Sequence, residues 1–200
     1  MSLYEYDNYL RNRDNVKVIV GVDEAGRGPL AGDVYAAAVV LSDDSIEGLN
    51  DSKKLSDKKR EKLYEFIRMK SISYSVGIAS VDEIEGLNIL NASMLAMKRA
   101  VQALSCEYEI VYIDGNKSPD LLIPSKTIVK GDALSASIAA ASIVAKVSRD
   151  EYMTKMDGIY PEYGFAKHKG YGTKLHFEMI KKYGICPIHR PSFLKKIISL

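Results

Sequence analysis

Four acidic residues stand where a chain can hold a carboxylate rigidly. Asp23 and Glu24 follow an apolar run at 16–22, Asp114 follows a second at 109–113, and Asp132 follows Gly131 ahead of a stretch rich in alanine and serine. Hard divalent cations such as Mg²⁺ and Mn²⁺ take oxygen ligands, and a pair of them needs several carboxylates from different elements with positions left for water and phosphate. Beside the first acids lies Gly26-Arg27-Gly28. Its glycines accept positive φ and let a ligand approach the backbone, while Arg27 offers a planar, permanently charged fork. Acids next to an anion-friendly loop point to metal and phosphate chemistry, although spacing alone does not make the four converge.

The elements that must carry these residues are those of an α/β domain. The apolar runs at 16–22 and 34–41 read as buried strands, adjacent to each other, the second with alanines that permit close packing. Ser56 can cap a helix reaching about Met69, and 71–79 reads as a third strand. Ser80 and Glu83 have capping-box spacing before a helical region that continues through Met94 and Met97, read as core filler, to Leu104. Strands at 109–113 and 126–129 follow, the first delivering Asp114 into a Gly115-Asn116 turn. The alanine-serine helix is expected to begin immediately after Asp132, whose charge would suit the helix dipole. Several strand ends supplying acids to one edge of a sheet suit a ligand site there.

Composition narrows the function classes. Two hundred residues, 46% of them hydrophobic, are enough for one sizeable core, and no repeat or low-complexity linker divides them. The first fourteen residues are polar and charged, offering neither a signal peptide's apolar centre nor a spanning helix, so a cytosolic protein without membrane association is expected. Cys106 and Cys186 lack metal-ligand spacing and read as reduced and structural. A net charge of +2 says little about a polyanionic partner, but from Lys167 onward eight Lys or Arg face one acid, Glu178, a segment able to follow a phosphate backbone. RNA cleavage by histidine acid and base would have only His168, His176 and His189 to draw on, all in that basic region. The metal route is the stronger reading.

Ordered blocks across most of the chain carry a resemblance to a known family: GVDEAGRGPLAG at 21–32, DSKKLS at 51–56, Asp114-Gly115, Gly131-Asp132, SIAAASIVAKVSRD at 137–150 and HKGYGTKLH at 168–176. The chain resembles bacterial ribonuclease HII, which cuts the RNA strand of RNA/DNA hybrids and nicks duplex DNA at embedded ribonucleotides. The resemblance implies a ribonuclease H-like fold, a central mixed β-sheet flanked by helices, with a catalytic domain at 1–156 and a basic helical extension at 157–200 that helps bind substrate. It implies that Asp23, Glu24, Asp114 and Asp132 form one site for two Mg²⁺ or Mn²⁺ ions, where hydrolysis leaves a 3′-hydroxyl and a 5′-phosphate. It also implies that Gly26, Arg27 and Gly28 read the 2′-hydroxyl, and that Tyr171 packs on the junction sugar and checks that the next nucleotide is DNA. Lys53, Lys54, Lys146 and His168 are secondary candidates for substrate contact, and Arg190 and Ser192 are placed within reach of the duplex. A monomer is expected, with RNA/DNA hybrid and ribonucleotide-containing duplex DNA as its partners. One departure stands out: Asp33 replaces the family's usual proline and is expected to point to solvent. Ribonuclease HIII, a relative, normally has an added N-terminal domain and a glutamate as fourth acid, so Asp132 favours HII. A non-catalytic binding module is disfavoured by retention of all four acids, and a P-loop by the missing Lys-Ser/Thr ending.

Overall fold

The computed structural model describes residues 1–42, 46–49 and 55–198, the side chains of 196–198 excepted. A five-stranded sheet forms the centre, in spatial order β3-β2-β1-β4-β5. Strand β1 spans Ile19–Ala25, β2 Val34–Leu41, β3 Ser71–Ala79, β4 Ile110–Asp114 and β5 Ser125–Ile128. β1 to β3 form an antiparallel meander, whereas β4 and β5 add in parallel, so the sheet is mixed. β1 and β2 are adjacent, as their composition suggests, and 71–79 is a strand over the expected range. Asp23 and Glu24 lie within β1 rather than after it, because the ladder with β2 continues to Ala25.

Helices cover both faces. α1 (Leu3–Asp14), α2 (Asp57–Lys70) and α5 (Ala136–Ile159) lie on one side, and α4 (Ile89–Gln102), preceded by α3 (Val81–Leu87), on the other. Strand β2 is buried along its whole length because each face has a helix to meet. Val34, Ala36, Ala38 and Val40 join the α4 core, while Ala37, Val39 and Leu41 join that of α5. The expected continuous helix to Leu104 divides at Asn88, whose φ of 68° ends α3 and whose side chain caps α4. The Ser80–Glu83 capping box forms as its spacing suggests.

The N-terminal segment packs against α5. Ser2 and Glu5 form a capping box that starts α1, and buried Asp7 reaches the head of α5. Its carboxylate accepts from the Ser135 hydroxyl at 2.5 Å and from the Ser137 N–H and hydroxyl at 2.9 and 2.7 Å. An acid there satisfies a donor that the first turn of a helix leaves unpaired. Helix α5 presses so closely on β1 that a Cβ on Gly21 would stand 2.1 Å from the Ser137 carbonyl carbon. Beyond α5 lie α6 (Phe165–His168), α7 (Lys174–Tyr183) and α8 (Pro191–Ile198), and the boundary expected at 156/157 falls inside α5. No helix among the described residues is long and apolar enough to cross a membrane.

Candidate active site

Side chains alternate along a strand, so Val20 and Val22 enter the α4 core while Asp23 turns toward α5. Parallel pairing sets Val22 beside Ile113, which brings Asp114 level with Asp23. The third acid arrives by a turn: Lys130 takes a left-handed φ of 59°, and Gly131–Ala133 form a short 3₁₀ turn. Asp114 Oδ1 fastens that turn to β4, accepting from the Gly131 N–H at 2.6 Å and from the Asp132 N–H at 3.4 Å. Asp132 therefore precedes α5 rather than starting it, and Ser135 is the residue that caps the helix. The helix-dipole argument for Asp132 gives way to this turn geometry.

Asp23, Asp114 and Asp132 each present a carboxylate oxygen, and the three lie within 4.8 Å of one another. Glu24, on the alternate face of β1, stands outside that trio but borders the same pocket of about 250 Å³. The pocket is also lined by Asp23, Gly26, Arg27, Gly28, Asp114, Ser142, Lys146 and Tyr171. A larger hollow of about 430 Å³ lies next to it, but its Asp57 and Asp150 already pair with Arg60 and Lys146.

The electrostatics suit a cation. Burial, reinforced by Glu24 and Asp114, pushes the Asp23 carboxyl well above the usual carboxylate range, although the Ser142 hydroxyl and the Glu24 N–H bond to it. Burial also raises Glu24, opposed by Arg27 at 3.3 Å. Close acids with an all-oxygen donor set and an open pocket fit a hard divalent ion.

Other expected residues divide. Tyr171 is 44% exposed at the pocket rim, and Lys146 reaches the pocket while paired with Asp150 at 2.6 Å. Lys53 and Lys54 lie outside the described residues. His168 does not face the pocket: it is buried, its Nδ1 accepts from the Gly170 N–H and its Nε2 bonds the Tyr163 carbonyl. Asp33 does not point to solvent, because its Oδ1 accepts from the Val81 N–H at the start of α3 and burial raises its pKa. Arg190 is fully buried and bonds backbone carbonyls of the glycine loop, so it is unavailable to a duplex. Ser192 bonds Glu85. Two residues that the sequence does not single out also matter: Ser142 bonds Asp23 at the pocket, and Asp7 holds the head of α5. A lone acid or serine carries no signal of its own, and only the fold reveals what each one touches.

The chain matches known proteins along nearly its whole length. The Ribonuclease HII family model matches residues 20–196. The chain is 56% identical to ribonuclease HII of Acetivibrio thermocellus, over 99% of this chain and 77% of that one. It is 53% identical to that of Caldicellulosiruptor bescii over the full length of both. Among solved structures, ribonuclease H2 from Pyrococcus horikoshii superposes with a TM-score of 0.75 at 29% identity, covering 92% of this chain and 98% of that one. With a mixed sheet of the ribonuclease H type, an acidic pocket at the carboxyl ends of its inner strands and these matches along nearly its whole length, the chain belongs to the ribonuclease HII family, metal-dependent endoribonucleases acting on RNA/DNA hybrids.

Proposed function

We propose that Asp23, Glu24, Asp114 and Asp132 are the catalytic carboxylates and that the pocket they border takes the scissile phosphate. The observation that carries this reading is the meeting of Asp23, Asp114 and Asp132 within 4.8 Å beside the glycine loop and Tyr171. These acids would hold Mg²⁺ or Mn²⁺, which would supply activation of the attacking water and stabilisation of the departing 3′-oxygen. The chain's own part is positioning. Ser142 orients Asp23, and the Gly131 and Asp132 amides fix Asp114. The backbone of Gly26, Arg27 and Gly28 meets the 2′-hydroxyl, which is both donor and acceptor and separates RNA from DNA. Tyr171 packs on the junction sugar. Exposed Lys167, Lys174, Lys181 and Lys182 support a role for the segment 157–200 in following the duplex. On this reading the protein acts as a monomer in the cytosol on hybrids and on duplex DNA with embedded ribonucleotides.

The direct test is incubation with a duplex containing one ribonucleotide, with and without Mg²⁺ or Mn²⁺. The expected result is a metal-dependent nick on the 5′ side of the ribonucleotide, leaving a 3′-hydroxyl and a 5′-phosphate. A cyclic phosphate, or cutting that persists in chelator, would refute it.

A further inference from the structure

Arg190 and Arg149 are both buried, at 0% and 1% exposure, and both spend their guanidinium groups on backbone carbonyls. Arg190 Nε donates to Gly32 O at 2.8 Å, Nη1 to Arg27 O at 3.1 Å and Pro29 O at 2.9 Å, and Nη2 to Gly26 O at 2.7 Å and Gly32 O at 2.5 Å. Arg149 donates to Ala31 O, Asp33 O and Lys169 O, and it lies so close beneath Gly26 that a Cβ there would stand 2.1 Å from its Nε. The main chain around Arg190 is itself tied to the loop, through Arg190 N–H to Leu30 O at 2.8 Å and Gly32 N–H to Ile188 O at 2.7 Å.

A trans peptide sets its N–H opposite its C=O. The carbonyl of Gly26 shares a peptide with the Arg27 N–H, and the carbonyl of Arg27 shares one with the Gly28 N–H. Because Arg190 takes both carbonyls, both N–H groups are aimed away from it. We propose that Arg190 is the positioning residue that aims the Arg27 and Gly28 amides at the ribose, so that recognition of the 2′-hydroxyl depends on a side chain that never touches substrate. The Lys ammonium is a point charge without the planar fork and cannot hold the same set of carbonyls. Asp33 lies near both arginines and supplies negative charge to a region otherwise held by neutral acceptors.

The proposal rests on the reading that this loop meets the 2′-hydroxyl, and two measurements separate them. Amide resonances of Arg27 and Gly28 in the wild-type protein should shift when a duplex carrying one ribonucleotide is added with Ca²⁺, and not with the all-DNA duplex; no such difference overturns the loop reading itself. Arg190→Lys and Arg190→Gln should lower the preference for the ribonucleotide duplex over the all-DNA duplex about tenfold, the scale of one well-aimed hydrogen bond. Affinity for all-DNA duplex and the native circular dichroism should stay unchanged, with kcat reduced more than KM. An unchanged preference in a folded variant overturns the role of Arg190. So does loss of the native fold in both variants, since residues that only aim a loop leave the core standing.

Discussion

Two clusters of titratable side chains in this protein lead opposite lives. At the carboxyl ends of β1 and β4, Asp23, Asp114 and Asp132 converge beside an open pocket. In the C-terminal region, His168, His176 and His189 are packed together with Tyr163, Phe165 and Cys186. The histidines satisfy one another and the backbone. Cys186 N–H donates to His189 Nδ1 at 2.9 Å, so His189 carries its proton on Nε2 and donates to His176 Nε2 at 3.1 Å. His176 in turn donates from Nδ1 to the Tyr171 carbonyl at 3.0 Å. The chain of neutral rings ends on the residue at the pocket rim. The carboxylates include like charges brought together and open to a ligand, whereas the imidazoles have their hydrogen-bonding capacity used internally. The first arrangement suits chemistry and the second suits positioning.

The largest expected break in that comparison comes from the acids. Asp23→Asn and Asp114→Asn should each lower kcat with Mg²⁺ by about three orders of magnitude, judged from the loss of a charged group that stabilises the reacting phosphate. Hybrid affinity should remain, and single-turnover cleavage with a gel-shift measurement checks both; full turnover in both variants would refute the assignment. Tyr171→Ala should cost up to about tenfold in cleavage at a single ribonucleotide, with Tyr171→Phe close to wild type because the ring does the packing.

Stability against pH separates the clusters by sign. Asp23 and Glu24 have folded pKa values above their unfolded ones, so without metal they destabilise progressively as pH rises from about 4 through those raised values. His176 and His189 are pulled down to about 4 by burial, so their contribution is complete above the unfolded value of about 6.5 and is lost as pH falls from there toward about 4. Thermal melts in chelator should therefore show Asp23→Asn melting above wild type at neutral pH, with added Mn²⁺ stabilising it less. The double variant His176→Gln and His189→Gln should show a shallower loss on the acid side. Identical pH profiles for all three proteins would erase the distinction. The smallest effect is expected at Lys146: Lys146→Ala should weaken hybrid binding and reduce the slope of log affinity against log salt by about one, as for a single phosphate contact.

Much of the strand pattern was legible in the residues. β2 and β3 have the composition of buried and half-buried strands, and the Ser80–Glu83 box is a local motif whose bonds join near neighbours. The polar N-terminus was not legible as a packed helix, because what makes Asp7 valuable is a pair of serines about 130 positions away. Asp33 misled for the same reason: a charged residue after Gly32 reads as surface until the Val81 amide and two buried arginines arrive beside it. Arg190 looked like part of a basic face, since a sequence does not distinguish a guanidinium facing water from one taking carbonyls.

What the residues determined alone was the chemistry on offer: oxygen donors suited to hard divalent ions, a loop whose glycines admit a ligand, and blocks sufficient to identify the family. What tertiary structure decided was which groups meet. Parallel pairing of β1 with β4 sets Asp114 level with Asp23, and the turn at 131–133 adds Asp132. Alternation along β1 sets Glu24 to one side, and burial makes Arg190 a scaffold. Local pattern governs which element forms, but convergence of residues some ninety to a hundred and ten positions apart depends on pairing and packing over the whole chain.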